Sequence, residues 1–124
     1  MGIKEVYRSV AYALEGLRYA FKTQRNLRIH TVMAAVALAG AYAGKFSRWE
    51  VVLLLLTITL VVGAELLNTA IEVTVDLFTP EYNHLARTAK NVAAAAVLVT
   101  ACNAVLVGIF LFGPLVLKFV QALF

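Results

Sequence analysis

The sequence predicts an all-α integral membrane fold, an N-terminal amphipathic surface helix followed by three transmembrane helices. Three observations carry that prediction. The chain is 62% hydrophobic over 124 residues, with a mean hydropathy of +0.85, far from the balance of a soluble domain. Apolar stretches run over 29–44, 51–75 and 89–117, and a ~30 Å hydrocarbon core needs roughly 20 residues at ~1.5 Å each. The charged residues gather in front of and between those stretches. The second and third stretches meet the length outright, and the first meets it if its helix begins earlier, within 22–28. One membrane domain over 1–124 accommodates all of them.

The elements follow in order. Over 3–22, Ile3, Val6, Val10, Ala13, Leu14, Leu17 and Phe21 share one helical face, and Lys4, Arg8, Glu15, Arg18 and Lys22 the other. Such a helix lies in the headgroup layer, and two roles stay open for it: anchor alone, or anchor and lid over a site. Up to residue 28 runs a polar knot, with Lys22, Arg25 and Arg28 beside the first span. His30, at the span entrance, is by itself a weak signal, since an interfacial histidine usually only hydrogen-bonds there. Gly40-Ala41-Tyr42-Ala43-Gly44 has the spacing that lets helices approach closely, but the pattern is common and stands at a helix end. A short turn over 45–50, with Trp49 suited to the interface, leads into the second span. Pro80 closes it. The third helix restarts near His84 or Leu85, with Ala89, Ala93, Ala94, Ala95 and Ala96 as a small-residue packing face. Gly113-Pro114 interrupts its end and leaves 115–124 as a continuation or a frayed tail.

Cysteine usage and charge narrow the classes further. The single cysteine, Cys102, lies in the third span, reads as a small packing residue and permits no intrachain disulfide. No cleaved signal peptide is expected, because the first apolar run starts behind a long charged segment. The net charge of +4 does not point to nucleic acid, since the cations flank membrane spans, where they set topology and meet anionic lipid. Lys4, Arg8, Arg18, Lys22, Arg25, Arg28, Arg87 and Lys90 fall on one side, and Lys45, Arg48 and Lys118 on the other. That asymmetry puts the N-terminus and the 76–90 loop in the cytoplasm.

The chemistry is concentrated in the second span. Glu65, Asn68, Glu72 and Asp76 follow one another at intervals of 3, 4 and 4 residues, which confines them to roughly 80° of a helix surface. A carboxylate at the centre of a span costs about 2.5–3.5 kcal/mol on insertion scales and marks function when it persists. Asp76 alone reads as a solvated cap and Glu72 as a snorkelling side chain, but Glu65 lies too deep for either. Carboxylates graded from interface to interior suit an ion or proton path. They equally suit metal-assisted transfer to a lipid headgroup, with one carboxylate holding Mg²⁺ on a polyphosphate and a deeper one taking a hydroxyl proton. His84, Arg87 and Lys90, with Gln24, Arg25 and Arg28 opposite, supply cations and polar groups that the second use needs and the first does not. No Walker A motif, Gly-x-Gly-x-x-Gly loop or His/Cys metal cluster is present.

The blocks Glu65-Leu66-Leu67-Asn68-Thr69-Ala70-Ile71-Glu72-x-x-Val75-Asp76, Glu81-Tyr82 and Ala89-Lys90-Asn91-x-Ala93-Ala94-Ala95-Ala96-Val97-Leu98 resemble the small prokaryotic diacylglycerol kinase family. Gly16-Leu17-Arg18-Tyr19-Ala20-Phe21 and Thr23-Gln24-Arg25-Asn26-x-Arg28-Ile29-His30 extend the resemblance over nearly the whole chain. It implies a homotrimer in the bacterial inner (cytoplasmic) membrane with sites shared between subunits. It also implies transfer of the ATP γ-phosphate to a lipid hydroxyl at the cytoplasmic interface, with Mg²⁺. Carried over by residue, Glu65 is the general base, with Asn68 beside it in the catalytic set. Glu72 and Gln24 hold the metal, Tyr12, Glu72, Glu81, Tyr82, Asn83, Lys90 and Asn91 meet ATP, and Asp76 supports them. Three departures stand out. Gln24 replaces a second metal-binding glutamate and brings no charge. Asn91 replaces an aspartate beside Lys90. Asn83 follows Glu-Tyr where the family has histidine, with His84 one place later. The Arg-Asn-x-x-Ile-His and Asn-Thr-Ala-Ile-Glu variants resemble the undecaprenol-phosphorylating branch, which makes undecaprenol the leading substrate and diacylglycerol the next. A membrane ion or proton carrier and a catalytically silent homologue are the other readings.

Overall fold

The structure, a computed structural model, describes residues 2–124. Four helices make up the fold: α1 (Ile3–Thr23), α2 (Arg25–Ala43), α3 (Arg48–Phe78) and α4 (His84–Leu123). Each boundary has a local cause. The Gly2 N–H donates to Glu5 Oε2 at 2.9 Å and opens α1. Gln24 is extended, at φ −98° and ψ 112°, and so separates α1 from α2. Arg28 Nη1 donates to the carbonyls of Phe21 and Lys22, each at 3.0 Å, and satisfies the free C-terminal end of α1. The polar knot is therefore mostly the first turns of α2, and only one residue in it breaks the helix.

Lys45, in the left-handed region at φ 52°, ends α2. Ser47 and Glu50 then cap α3 reciprocally: the Ser47 N–H donates to Glu50 Oε2 (2.6 Å) and the Glu50 N–H to Ser47 Oγ (3.4 Å). Asn83 Oδ1 accepts from the N–H groups of Leu85 and Ala86 at 2.8 and 3.1 Å and starts α4. α4 then runs without a break through Pro114, so 115–123 continues the helix. Proline removes one backbone donor, but its ring tolerates a helix when neighbouring turns carry the load.

The helices α2, α3 and α4 run antiparallel in succession and meet along seams whose residues recur at threes and fours. In α2 the inward positions are Leu27, His30, Ala34, Ala37 and Ala41; in α3 they are Leu54, Thr57, Val61, Glu65, Asn68 and Glu72. In α4 they are Lys90, Ala93, Val97, Thr100, Ala104, Val107 and Leu111. This is the near-3.5 repeat of helices that wrap around one another. α3 packs most extensively on α4, less on α2, and α1 touches α2 and α3 only lightly. The apolar core, Ala41, Leu54 and Leu111 with Phe46 and Phe112 against them, lies at the end remote from the α3–α4 loop.

Two sequence expectations change here. Of the alanine run in α4 only Ala93 is buried, while Ala89, Ala94, Ala95 and Ala96 face outward, as does Cys102; a block of consecutive alanines spreads round a helix instead of lining one face. Conversely, the Gly40-x-x-x-Gly44 pair has a structural use, because large side chains pack over both glycines. A Cβ on Gly40 would stand 3.0 Å from the Phe112 ring, and one on Gly44 3.0 Å from Leu115 and Phe46.

Outside the seams the helices are bare hydrocarbon. The accessible surface is 9759 Å², against about 6,500 Å² for a soluble monomer of this mass. Leu53, Leu56, Leu60, Leu67, Leu98, Val99, Ile109 and Phe110 are among the large apolar residues that face outward. α3 and α4 are long and apolar enough to cross a bilayer, and at ~1.5 Å per residue they measure about 46 and 60 Å.

Candidate functional site

At the end of the bundle where α1 meets α2 and α3 meets α4, the polar stripe of α3 is met layer by layer. The outermost layer joins α3 to α4: Lys90 Nζ donates to Asp76 Oδ1 in an exposed ion pair. The next joins α3 to the α1–α2 break. Gln24 Nε2 donates to Glu72 Oε2 at 3.3 Å, and Asn68 Nδ2 donates to Glu72 Oε1 at 2.9 Å. Both carboxylate oxygens of Glu72 are thus held by amides. The deepest layer joins α3 to α2: His30 Nε2 lies 3.3 Å from Glu65 Oε1. Glu65 and Glu72 are one heptad apart, about 10 Å along the helix.

These positions follow from the local sequence. Asn68 and Glu72 are four residues apart, so their side chains meet on one face of α3. Gln24 is freed for a distant partner because the break leaves its side chain out of both helices. Thr69 donates back to the Glu65 carbonyl at 2.8 Å and adds no unpaired group to the buried face. Among the described residues two buried oxygens are left without a hydrogen-bond donor: Asn68 Oδ1 and Glu65 Oε1, whose contact with His30 is close but poorly aligned. Unpaired buried acceptors are rare enough to call for a ligand or a role in chemistry.

Above the layers an open cleft of about 280 Å³ is lined by Asp76, Glu81, Tyr82, Asn83, Arg87 and Lys90, close to the ~300 Å³ lower bound of ligand pockets. Asn83 lines it while its side-chain oxygen caps α4. A larger groove of about 560 Å³, at the other end against Gly44, Leu115 and Phe119, has apolar walls with Lys118 as its one charge and offers no comparable chemistry. Of the remaining predicted positions, Tyr12 is exposed on α1 and Asn91 exposed beside Lys90 on α4. Neither is drawn into the layers.

The residue that sequence reasoning undervalued is His30. Its signal was present, because Leu27, His30, Ala34 and Ala37 share the inward repeat of α2, and a histidine on that face needs a partner.

The oxygens around Glu72 also bear on metal binding. Among the described residues no group of three or more His, Cys, Asp or Glu side chains is placed to hold an ion. One carboxylate with two amide carbonyls does not make a closed metal cage. It does suit Mg²⁺, which keeps several ligands of its own and is usually held by one or two carboxylates plus substrate phosphates.

Comparison with known proteins bears on the same residues. The sequence model of the family described as prokaryotic diacylglycerol kinase matches residues 11–112. The chain is 46% identical over 101 residues to a diacylglycerol kinase of Synechocystis sp., covering 81% of this chain and 58% of that protein. It is 35% identical over 112 residues to the undecaprenol kinase of Bacillus subtilis, covering 90% and 91% of the two. To the diacylglycerol kinase of Escherichia coli K12 it is 32% identical over 105 residues, covering 85% and 86%.

Proposed function

Because the chain belongs to the prokaryotic diacylglycerol kinase family, we propose that it is a lipid kinase of the bacterial cytoplasmic membrane that transfers the γ-phosphate of ATP to a lipid hydroxyl. The observation that carries this reading is the layered stripe. A buried carboxylate, Glu65, sits on the same helix face as Glu72 and beneath it, and Glu72 lies under a cleft with a lysine at its rim. A base deep in the bilayer, a polyphosphate site at the interface and a lipid hydroxyl brought between them make one transfer line.

In that line Glu65 takes the hydroxyl proton as the lipid oxygen bonds to the γ-phosphorus and the bond to the departing ADP oxygen breaks. Glu72 and Gln24 would hold Mg²⁺, and Asn68 fixes the Glu72 carboxylate by its 2.9 Å hydrogen bond. Bound with ATP, the ion would spread the charge of the β- and γ-phosphates. Lys90, released from Asp76, is a compact cation for a phosphate oxygen. Tyr12, Glu81, Tyr82, Asn83 and Asn91 contact the nucleotide. The lipid tail lies along the exposed apolar faces of α3 and α4.

The membrane arrangement completes the proposal. α2 forms a third span beside α3 and α4, α1 lies on the cytoplasmic surface, and the whole of 1–124 is one membrane domain. Three copies assemble and share their sites, which covers the outward-facing hydrocarbon not met by lipid. Undecaprenol is the favoured acceptor, on the Arg25-Asn26-x-x-Ile29-His30 variant and the likeness to the B. subtilis undecaprenol kinase along nearly the full length of both chains. Diacylglycerol is the second reading, favoured by the 46% identity to the Synechocystis enzyme, although this chain spans only 58% of that protein. Purified protein in mixed micelles with labelled ATP and Mg²⁺, offered both lipids side by side, tests the proposal. Label is expected in undecaprenol first; label in neither lipid with folded protein ends the kinase reading.

A further inference from the structure

The proposed transfer leaves a proton on Glu65 at every turnover, and Glu65 has almost no route to water. It is 2% exposed, on the inward face of α3. The imidazole of His30 lies 3.3 Å from it through Nε2 and keeps 27% of its own side chain accessible within the single chain, so one end meets Glu65 and the rest is not enclosed by the chain's own helices. The other ionisable groups at this end of the bundle do not serve. Glu72, one heptad along α3, has both oxygens engaged by Gln24 and Asn68. On α4, Lys90 is held by Asp76 at the rim and Cys102, nearer the level of Glu65, faces outward. α1 buries only Ala20.

The geometry points to His30 as the proton relay and positioning residue of Glu65, an assignment that rests on the lipid-kinase reading. Glu65 receives the hydroxyl proton as the new P–O bond forms. The resulting carboxylic acid gives that proton to Nε2 of the Nδ1–H imidazole, which restores the carboxylate. The imidazolium then loses a proton from Nδ1 to water, and exchange of the remaining ring proton with water returns the Nδ1–H form for the next turnover. Proton count and charge return to their starting values with water as the only acceptor. The poorly aligned resting contact fits a group that exchanges a proton, since catalytic hydrogen bonds are often loose before substrate binds. Between turnovers the imidazole lies against the carboxylate on its α2 side and limits where it can turn, although Oε1 has no hydrogen-bond donor there.

The test uses the full chain in mixed micelles with His30→Ala and His30→Asn. Both are expected to lose about 10²-fold or more in kcat, the usual scale of acid–base assistance, with the KM for ATP unchanged. Added imidazole is expected to restore His30→Ala in proportion to its free base, and not to restore His30→Asn, whose side chain fills the space. Wild-type kcat in both variants overturns the relay. So does a loss that imidazole leaves untouched and that comes with a lower unfolding temperature, which marks His30 as a packing residue. A wild-type protein that phosphorylates neither lipid brings down the kinase reading and the relay together, whereas an active wild type with unaffected variants brings down the relay alone.

Discussion

Gln24 and Glu72 are forty-eight residues apart in the chain and joined by a 3.3 Å hydrogen bond, with Gln24 at the one break between α1 and α2. The surface helix, the first apolar helix and the polar stripe of α3 therefore meet at one amide. The same amide occupies the oxygen that a cation would claim.

Gln24→Glu places a second carboxylate against Glu72. Without a cation the two repel, so the unfolding temperature in detergent should fall, and Mg²⁺ should restore it more than in the wild type. The Mg²⁺ concentration for half-maximal turnover should also drop several-fold. An unchanged metal requirement removes Gln24 from the ligand set.

Glu65→Gln keeps the shape of the side chain and removes the base. Turnover should fall by about 10²–10⁴-fold, the range for a general base, while ATP binding measured by calorimetry persists. Retained turnover would assign the base elsewhere.

Lys90→Met removes the cation at the cleft rim. Losing one charge-assisted contact of about 1.5–3 kcal/mol should raise the KM for ATP roughly 10–100-fold. Asp76→Asn frees Lys90 instead, and because that pair is exposed the cost in stability should stay below about 1 kcal/mol. Thermal unfolding and ATP titration of the two variants separate the roles.

Gly40→Val drives a branched side chain into the Phe112 ring and should cost about 1–3 kcal/mol by overpacking. Gly63→Ala, where a Cβ meets nothing within 4 Å, should instead gain about 0.5–1 kcal/mol from helix propensity. Detergent-solubilised unfolding curves of the pair check both signs.

The parts of this molecule legible in the sequence were those with a periodic signature. The stripe at 65, 68, 72 and 76 and the apolar lengths of α3 and α4 were read from spacing alone. The capping of α3 by Ser47 and Glu50 also follows a sequence pattern, although the apolar run drew attention three residues further on. What spacing could not supply was partner identity. His30 lay on the inward repeat of α2, but only the packing of α2 on α3 chose Glu65 for it. Gly40 and Gly44 carried a motif common enough to discount until Phe112 and Leu115 were found against them. The alanine run in α4 misled because composition has no direction, and only one of its four consecutive members, Ala93, lands on the seam.

The inward face of α3 is apolar near Leu54 and Val61 and acidic from Glu65 onward, and both halves depend on the same rotational phase. Inserting or deleting one residue between Thr57 and Glu65 would swing one half about 100° relative to the other, turning either the core or the carboxylates toward hydrocarbon. A seven-residue insertion would disturb that phase by only about 20°. The helix is thus a ruler whose length can change in whole heptads but whose angular setting cannot, so point substitutions will be tolerated across much of it where single-residue indels will not.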